Sequence, residues 1–129
     1  MSDYVTRAQN VIKSLDRKNN KNKEIKLTTS QLRKFLAMAN EIDNKIKLYE
    51  LKGKIKDNIL PKDIQKEILS MKVKLVYQGG RVDSVKDFIK KSGMLEEIDK
   101  IDGKVSNFKD FFNYVEALVA YRKFEGNDK

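Results

Sequence analysis

Apolar residues recur along this chain at helical spacing, in blocks separated by polar breaks. Val5, Ala8, Ile12 and Leu15 fall three or four positions apart and predict a first helix from about Asp3 to Leu15. The following stretch, about residues 16–24, reads Asp-Arg-Lys-Asn-Asn-Lys-Asn-Lys up to Lys23. It has nothing apolar to bury and is expected to be a solvated basic loop. Thr28 and Gln31 have the spacing of a capping box, in which each side chain satisfies the other residue's backbone N–H. The helix they open carries Leu32, Phe35, Leu36, Ala39, Ile42, Ile46 and Tyr49 on one stripe, and Gly53 is expected to end it. Ile25-Lys26-Leu27 alternates in the manner of extended chain, but three residues do not decide it.

Pro61 suits the first turn of a third helix, where its missing N–H costs nothing. Ile64, Ile68, Met71 and Leu75 line that helix, and Gly79-Gly80 is expected to stop it. Ser84, with Asp87 three residues on, predicts the cap of a short fourth helix through Val85, Phe88 and Ile89. Ser92-Gly93 turns the chain into a fifth, from Met94 to about Ile101. Ser106 is expected to cap the last, which runs through Phe108, Phe111, Phe112, Val115, Leu118, Val119 and Phe124. That helix has one narrow polar stripe, Lys109, Asn113, Glu116 and Lys123. It is therefore either the central core element or a helix that also faces a partner subunit.

The pattern predicts an all-α fold, a compact bundle of about five to six helices in a single domain over residues 1–129. One proline and six glycines leave few breakers to oppose it. The polar start Met1-Ser2-Asp3-Tyr4 lacks the apolar run of a signal peptide. The longest apolar run, Ala117 to Tyr121, is far short of the ~20 residues that span a bilayer. With no cysteine there is no disulfide framework, and the expected setting is soluble and cytoplasmic, with no membrane partner.

Charge and missing residue types narrow the function. Lys and Arg number 28 against 19 Asp and Glu, a formal charge of +9, which favours a polyanionic partner. The chain has no histidine and no cysteine, which removes the commonest general base, the thiol nucleophile and the preferred zinc ligands. The surplus is uneven. Residues 13–34 carry eight basic and two acidic side chains, 45–56 five and one, and 72–91 six and two. Residues 95–102 reverse the sign through Glu96, Glu97, Asp99 and Asp102. Basic zones beside one acidic patch suit a nucleic acid on one side and a protein elsewhere.

Among the arginines, Arg17 lies in the basic loop and Arg33 in the first turn of the second helix, where the dipole also favours phosphate. Arg81 follows the glycine pair, where backbone approaches a ligand closely. No phosphate-binding glycine loop and no zinc spacing occurs. Carboxylate-held metal needs no histidine, so Glu96 with Asp99, or Asp83 with Asp87, keeps a nuclease reading open. Such pairs are equally ordinary on solvated helices. A helix-turn-helix across Val85 to Ile98 is disfavoured, because Glu96, Glu97 and Asp99 would face a groove lined with phosphate.

Three segments together carry a family resemblance: Lys26-Leu27-Thr28-Thr29-Ser30-Gln31-Leu32-Arg33; Val76 to Arg81 followed by Val85 to Ile89; and Phe111 to Phe124. In this order and spacing they resemble the small subunit of the type III-A CRISPR–Cas Csm effector complex, over nearly the whole chain. The resemblance implies an all-helical protein that is not itself an enzyme and holds no cofactor, with no catalytic or metal-ligating residues. It implies several copies stacked head to tail along the duplex of CRISPR RNA and target RNA. The repeated backbone subunit and the large subunit, which carry out the complex's chemistry, would be its protein partners.

On the matching segments the resemblance marks Lys26, Ser30, Arg33 and Arg81 as RNA-contact candidates. Arg17 and Lys18 join from the basic loop, and Arg122 from the last helix. In guided complexes base pairing reads sequence, so such a subunit needs phosphate contacts rather than base readers. The aromatic residues of the third segment are read as core. Glu96, Glu97, Asp99 and Asp102 become candidates for contact with a neighbouring copy, since a head-to-tail interface gains register from opposite charges on its two ends. The alternative is a helical protein–protein adaptor without direct RNA contact.

Overall fold

In the computed structural model, which describes residues 3–19 and 23–126, the chain forms six helices. They are α1 (Tyr4–Ser14), α2 (Thr29–Leu51), α3 (Lys62–Arg81), α4 (Asp83–Ser92), α5 (Met94–Asp99) and α6 (Val105–Glu125). Among the described residues there is no strand, only two isolated bridges, Arg17 with Ile25 and Ile59 with Lys104. Residues 20–22, the middle of the expected basic loop, and the terminal residues 1–2 and 127–129 lie outside the described residues.

The expected all-α architecture is present, with α6 at its centre. It packs along α1 and α2, α3 closes on α2 and α4, and α5 turns back against α3 and α4. Buried Val105, Phe108, Phe111, Tyr114, Val115 and Leu118 of α6 meet Leu32, Phe35, Ala39 and Ile42 of α2 and Ala8 and Ile12 of α1 in one core cluster. Phe35 and Phe111 meet edge to face with ring centroids 6.2 Å apart, and Phe108 lies 5.6 Å from Phe111. Phe124, expected on the apolar stripe, is instead 82% exposed.

Local side-chain caps open the first two helices. Asp3 caps α1 by accepting from the N–H of Thr6 at 3.0 Å. The Thr28–Gln31 capping box forms in both directions, at 3.1 and 2.9 Å. Pro61 stands at the N-cap of α3, one place ahead of the first turn. Ile25 and Leu27 are buried and Lys26 is exposed, so the alternation of this short segment is real, but the chain bends at 26–27 rather than running on as a strand.

Three expected helix boundaries are corrected. Gly79-Gly80 does not stop α3, which continues to Arg81. A Cβ on Gly79 would fall 2.7 Å from Cδ1 of Ile89, so this glycine marks the place where α4 crosses close to α3. Ser84 and Asp87 do not cap α4, which begins at Asp83 with no side-chain cap. The Asp87 carboxylate accepts instead from the backbone N–H of Asp16 at 2.8 Å and pairs with Lys91 at 2.9 Å. Ser106 does not cap α6 either. Its N–H donates to Oδ1 of Asn58 at 2.9 Å, so a residue 48 positions earlier supplies the cap.

Candidate nucleic-acid interface

The first turns of α2 and the last turns of α3 meet at one end of the bundle. Gln31 and Lys34 of α2 line a cleft of about 620 Å³ together with Val73, Lys74, Tyr77 and Gln78 of α3. Its floor is core: Phe35, Leu75 and Val85 are each less than a tenth exposed. The start of α4 completes the end, with the Ser84 hydroxyl 3.5 Å from Oε1 of Gln31. Two of the matched sequence segments are thus brought together, the one carrying Ser30 and Arg33 and the one carrying Arg81.

Ser30, Arg33 and Arg81 are all exposed. The Arg81 guanidinium lies over the Tyr77 ring, 5.5 Å from its centroid, which holds the planar fork outward at the C-terminal end of α3. Arg81 does not follow a glycine turn, because α3 is continuous through the pair. Lys26 is exposed on the segment leading into α2. Lys26, Arg33, Lys34, Lys74, Arg81, Lys86 and Lys90 have no carboxylate of the described residues within 4.0 Å. Some cations elsewhere are engaged, Lys45 with Glu67 at 2.6 Å, Lys91 with Asp87 at 2.9 Å and Lys109 with Glu50 at 3.1 Å, while others such as Lys52, Lys54, Lys62 and Lys123 have no such partner among the described residues. An unpaired lysine or arginine loses no internal partner when a phosphate arrives, so the paired and unpaired sets differ in what they offer a polyanion.

Arg17 and Lys18 hold the two sides of the basic loop. Arg17 donates to the carbonyl of Lys23 at 3.1 Å and lies 3.9 Å from Glu125; Lys18 lies 3.3 Å from Glu24. These are exposed pairs, weak enough to exchange for another anion.

Arg122 is not at the surface. It is 0% exposed, donating from Nε to the carbonyl of Leu27 at 2.7 Å and from Nη1 to the carbonyl of Gly126 at 2.8 Å. A phosphate cannot reach a guanidinium so enclosed, which removes Arg122 from the contact set. It positions the segment that presents Lys26.

The acidic patch divides. Glu97 pairs with Arg7 at 2.8 Å and Lys100 at 3.3 Å, and Asp99 with Lys72 at 2.5 Å. Glu96 and Asp102 have no cation of the described residues within 4.0 Å, and Asp102 is exposed. Burial lifts the Glu97 carboxyl, but the Arg7 hydrogen bond and the charges of Arg7 and Lys100 outweigh it and hold it below the usual range. Arg7 also lies over the Tyr114 ring, 4.5 Å from its centroid, and shares the Ser92 carbonyl with the Tyr114 hydroxyl. Arg7 and Glu97 therefore clasp α1, the α4–α5 corner and α6.

Among the described residues no three carboxylates gather where one cation could sit. Asp87 is tied to Asp16 and Lys91, and Asp99 to Lys72. Among the described residues no helix is long and apolar enough to cross a membrane.

The cleft, with Lys34, Lys74 and Tyr77, was not singled out from the sequence. Its trace there is a pair of apolar residues on α3, Val73 and Tyr77, which fall off the Ile64–Ile68–Met71–Leu75 stripe and are 67% and 61% exposed.

A family model described as Csm2 Type III-A matches residues 3–128. A Streptococcus thermophilus protein named CRISPR system Cms protein Csm2 is 36% identical over 124 residues, covering 96% of this chain and 92% of that protein. A Mycobacterium tuberculosis protein of the same name is 33% identical over 122 residues, covering 95% and 90%. One from Enterococcus italicus is 36% identical over 100 residues, covering 76% and 67%.

Proposed function

Since the chain belongs to the Csm2 family of type III-A CRISPR systems, as a small subunit of the Csm complex, we propose that it is a non-catalytic scaffold that stacks in several copies along the guide RNA–target RNA duplex and grips the RNA backbone without reading its sequence. Its partners in this reading are CRISPR RNA and target RNA, the repeated backbone subunit, the large subunit and neighbouring copies of itself. Its working compartment is the cytoplasm.

The observation that carries the reading is the set of cations without carboxylate partners at the α2–α3 end: Lys34 and Lys74 in the cleft and Arg81 over Tyr77 at its edge, with exposed Arg33, Ser30 and Lys26 at the start of α2 and on the segment before it. Phosphate contacts of this kind release counterions, so affinity falls steeply with salt. The carboxylates of Glu96 and Asp102 are available to a neighbouring copy's basic surface, while Glu97 and Asp99 serve within the chain.

The test is binding of purified protein to short RNA at several salt concentrations. About six phosphate contacts give a log–log slope near −4 to −5 on single strands, with little dependence on sequence. Arg33→Ala and Arg81→Ala are expected to lower that slope and to weaken assembly on guide–target RNA while leaving the helical signal intact. A salt-insensitive or strongly sequence-dependent affinity is incompatible with the reading.

The adaptor alternative draws support from Leu48, Leu51 and Ile59, 51–86% exposed around the end of α2. Such residues suit a protein partner. If charge reversal at Arg33 and Arg81 leaves complex assembly unchanged and the protein binds no RNA, the adaptor reading holds instead.

A further inference from the structure

We propose that the cleft between α2 and α3 takes an unpaired nucleobase of the RNA whose phosphates lie on the surrounding cations. The inference rests on the RNA-binding reading above and adds to it a contact that backbone gripping does not require.

The cleft has the make-up of a base site. Its volume of about 620 Å³ lies within the range of small-molecule pockets, and its floor of Phe35, Leu75 and Val85 is apolar. Tyr77 stands at its edge, 61% exposed, with the Arg81 guanidinium 5.5 Å from its ring centroid. An exposed aromatic ring beside an arginine stacks on the π-face that every base presents, whatever the base. The Gln78 amide lines the same space and offers both a donor and an acceptor to a base edge, and Gln31, whose Oε1 is held by the Thr28 N–H, offers its amide N–H.

Charge decides the occupant. Lys34 and Lys74 line the cleft, and no aspartate or glutamate does. An apolar helix of a protein partner would leave two ammonium groups against its flank, whereas a nucleotide places its base on the apolar floor and its phosphate at the lysines. A paired base cannot enter, since its faces and edge are already used in the duplex. The occupant is therefore a nucleotide turned out of the helix or one in a single-stranded stretch.

The experiment compares the whole protein's affinity for a short polyadenylate RNA with that for an abasic ribose-phosphate strand of the same length. Tyr77→Ala is expected to weaken binding to the intact strand about tenfold more than binding to the abasic strand, the scale of one lost base stack, the smaller abasic loss reflecting only the Arg81 guanidinium that the ring no longer holds. Tyr77→Phe should restore the intact-strand affinity. Arg33→Ala should weaken both strands alike. Equal effects of Tyr77→Ala on both strands, or none on either, overturn the base site and leave the backbone reading standing. Wild-type protein that binds neither strand sinks both. Sedimentation of wild-type protein and Val73→Glu supplies the remaining outcome: if Val73→Glu breaks up a self-associated species, a second copy covers the cleft and the proposal fails.

Discussion

Nε of Arg122, near the end of α6, donates to the carbonyl of Leu27, 95 residues earlier, at 2.7 Å. The bond crosses the interior, since Arg122 is 0% exposed and Leu27 2%. It ties the segment in front of α2 to the central helix, and so sets where Lys26 and the Thr28 cap stand.

Replacing Arg122 should therefore damage the fold rather than an RNA contact. Arg122→Met keeps the apolar stem but strands the carbonyls of Leu27 and Gly126. Losing hydrogen bonds from a charged donor in a closed site predicts a loss of about 3 kcal/mol. Urea unfolding followed by circular dichroism measures it. Below the transition the variant's RNA affinity should match wild type. A variant of full stability with weakened RNA binding would show that Arg122 reaches the surface.

The glycine pair gives a test with different outcomes at its two positions. Gly80 lies inside α3 with nothing within 4 Å of the place an alanine methyl would occupy, so Gly80→Ala should stabilise by about 0.5–1 kcal/mol through helix propensity alone. The same change at Gly79 drives a methyl to 2.7 Å from Ile89 Cδ1, and the side chain must move. That strain offsets the propensity gain, so Gly79→Ala should fall below Gly80→Ala in thermal midpoint, and Ile89→Val should narrow the gap. Were the pair a left-handed helix stop, alanine would be destabilising at both.

Why the pair reads as a stop in sequence is instructive. Two adjacent glycines after an apolar stripe match the pattern of a helix terminus. The feature that keeps α3 going, the crossing of α4 and the seat of Ile89, is a tertiary contact that periodicity does not encode. Capping follows the same division. The Thr28–Gln31 box is local and legible, whereas the α6 cap comes from Asn58 and cannot be read from residues near Ser106. The site behaves likewise: Arg33 and Arg81 are visible as arginines, but the burial of Arg122 and the joining of Tyr77 to Lys34 around one cleft require the packed bundle.

Asn58 offers the matching test of a cap supplied from afar. It holds φ of +63°, a conformation asparagine tolerates, and its side chain exchanges two hydrogen bonds with Ser106, at 2.9 and 2.8 Å. Asn58→Gly keeps the backbone freedom and removes only the cap, so it should cost about 1 kcal/mol. Asn58→Ala adds the left-handed strain and should cost more. Equal losses in chemical denaturation would mean that the cap, not the backbone angle, carries the residue's role.

The clasp of Arg7, Glu97 and Tyr114 predicts a pH dependence with a definite sign. Burial pushes the Tyr114 phenol up to about 12, with Arg7 pulling it back and Glu97 adding to the rise. The hydroxyl is held neutral as a donor to the Ser92 carbonyl at 2.8 Å. In the unfolded chain a tyrosine releases its proton near pH 10. The stability that Tyr114 contributes is therefore complete below about pH 10 and lost as pH rises through about 12. A shift of that size corresponds to roughly 2–3 kcal/mol. Tyr114→Phe should lose about 1 kcal/mol at neutral pH with its hydrogen bond, yet decline less than wild type between pH 10 and 12. Urea midpoints of the two proteins across that window measure the difference, since the lysines' deprotonation acts on both alike. Parallel declines would show that the Tyr114 proton is no more tightly held in the folded protein than in the unfolded chain.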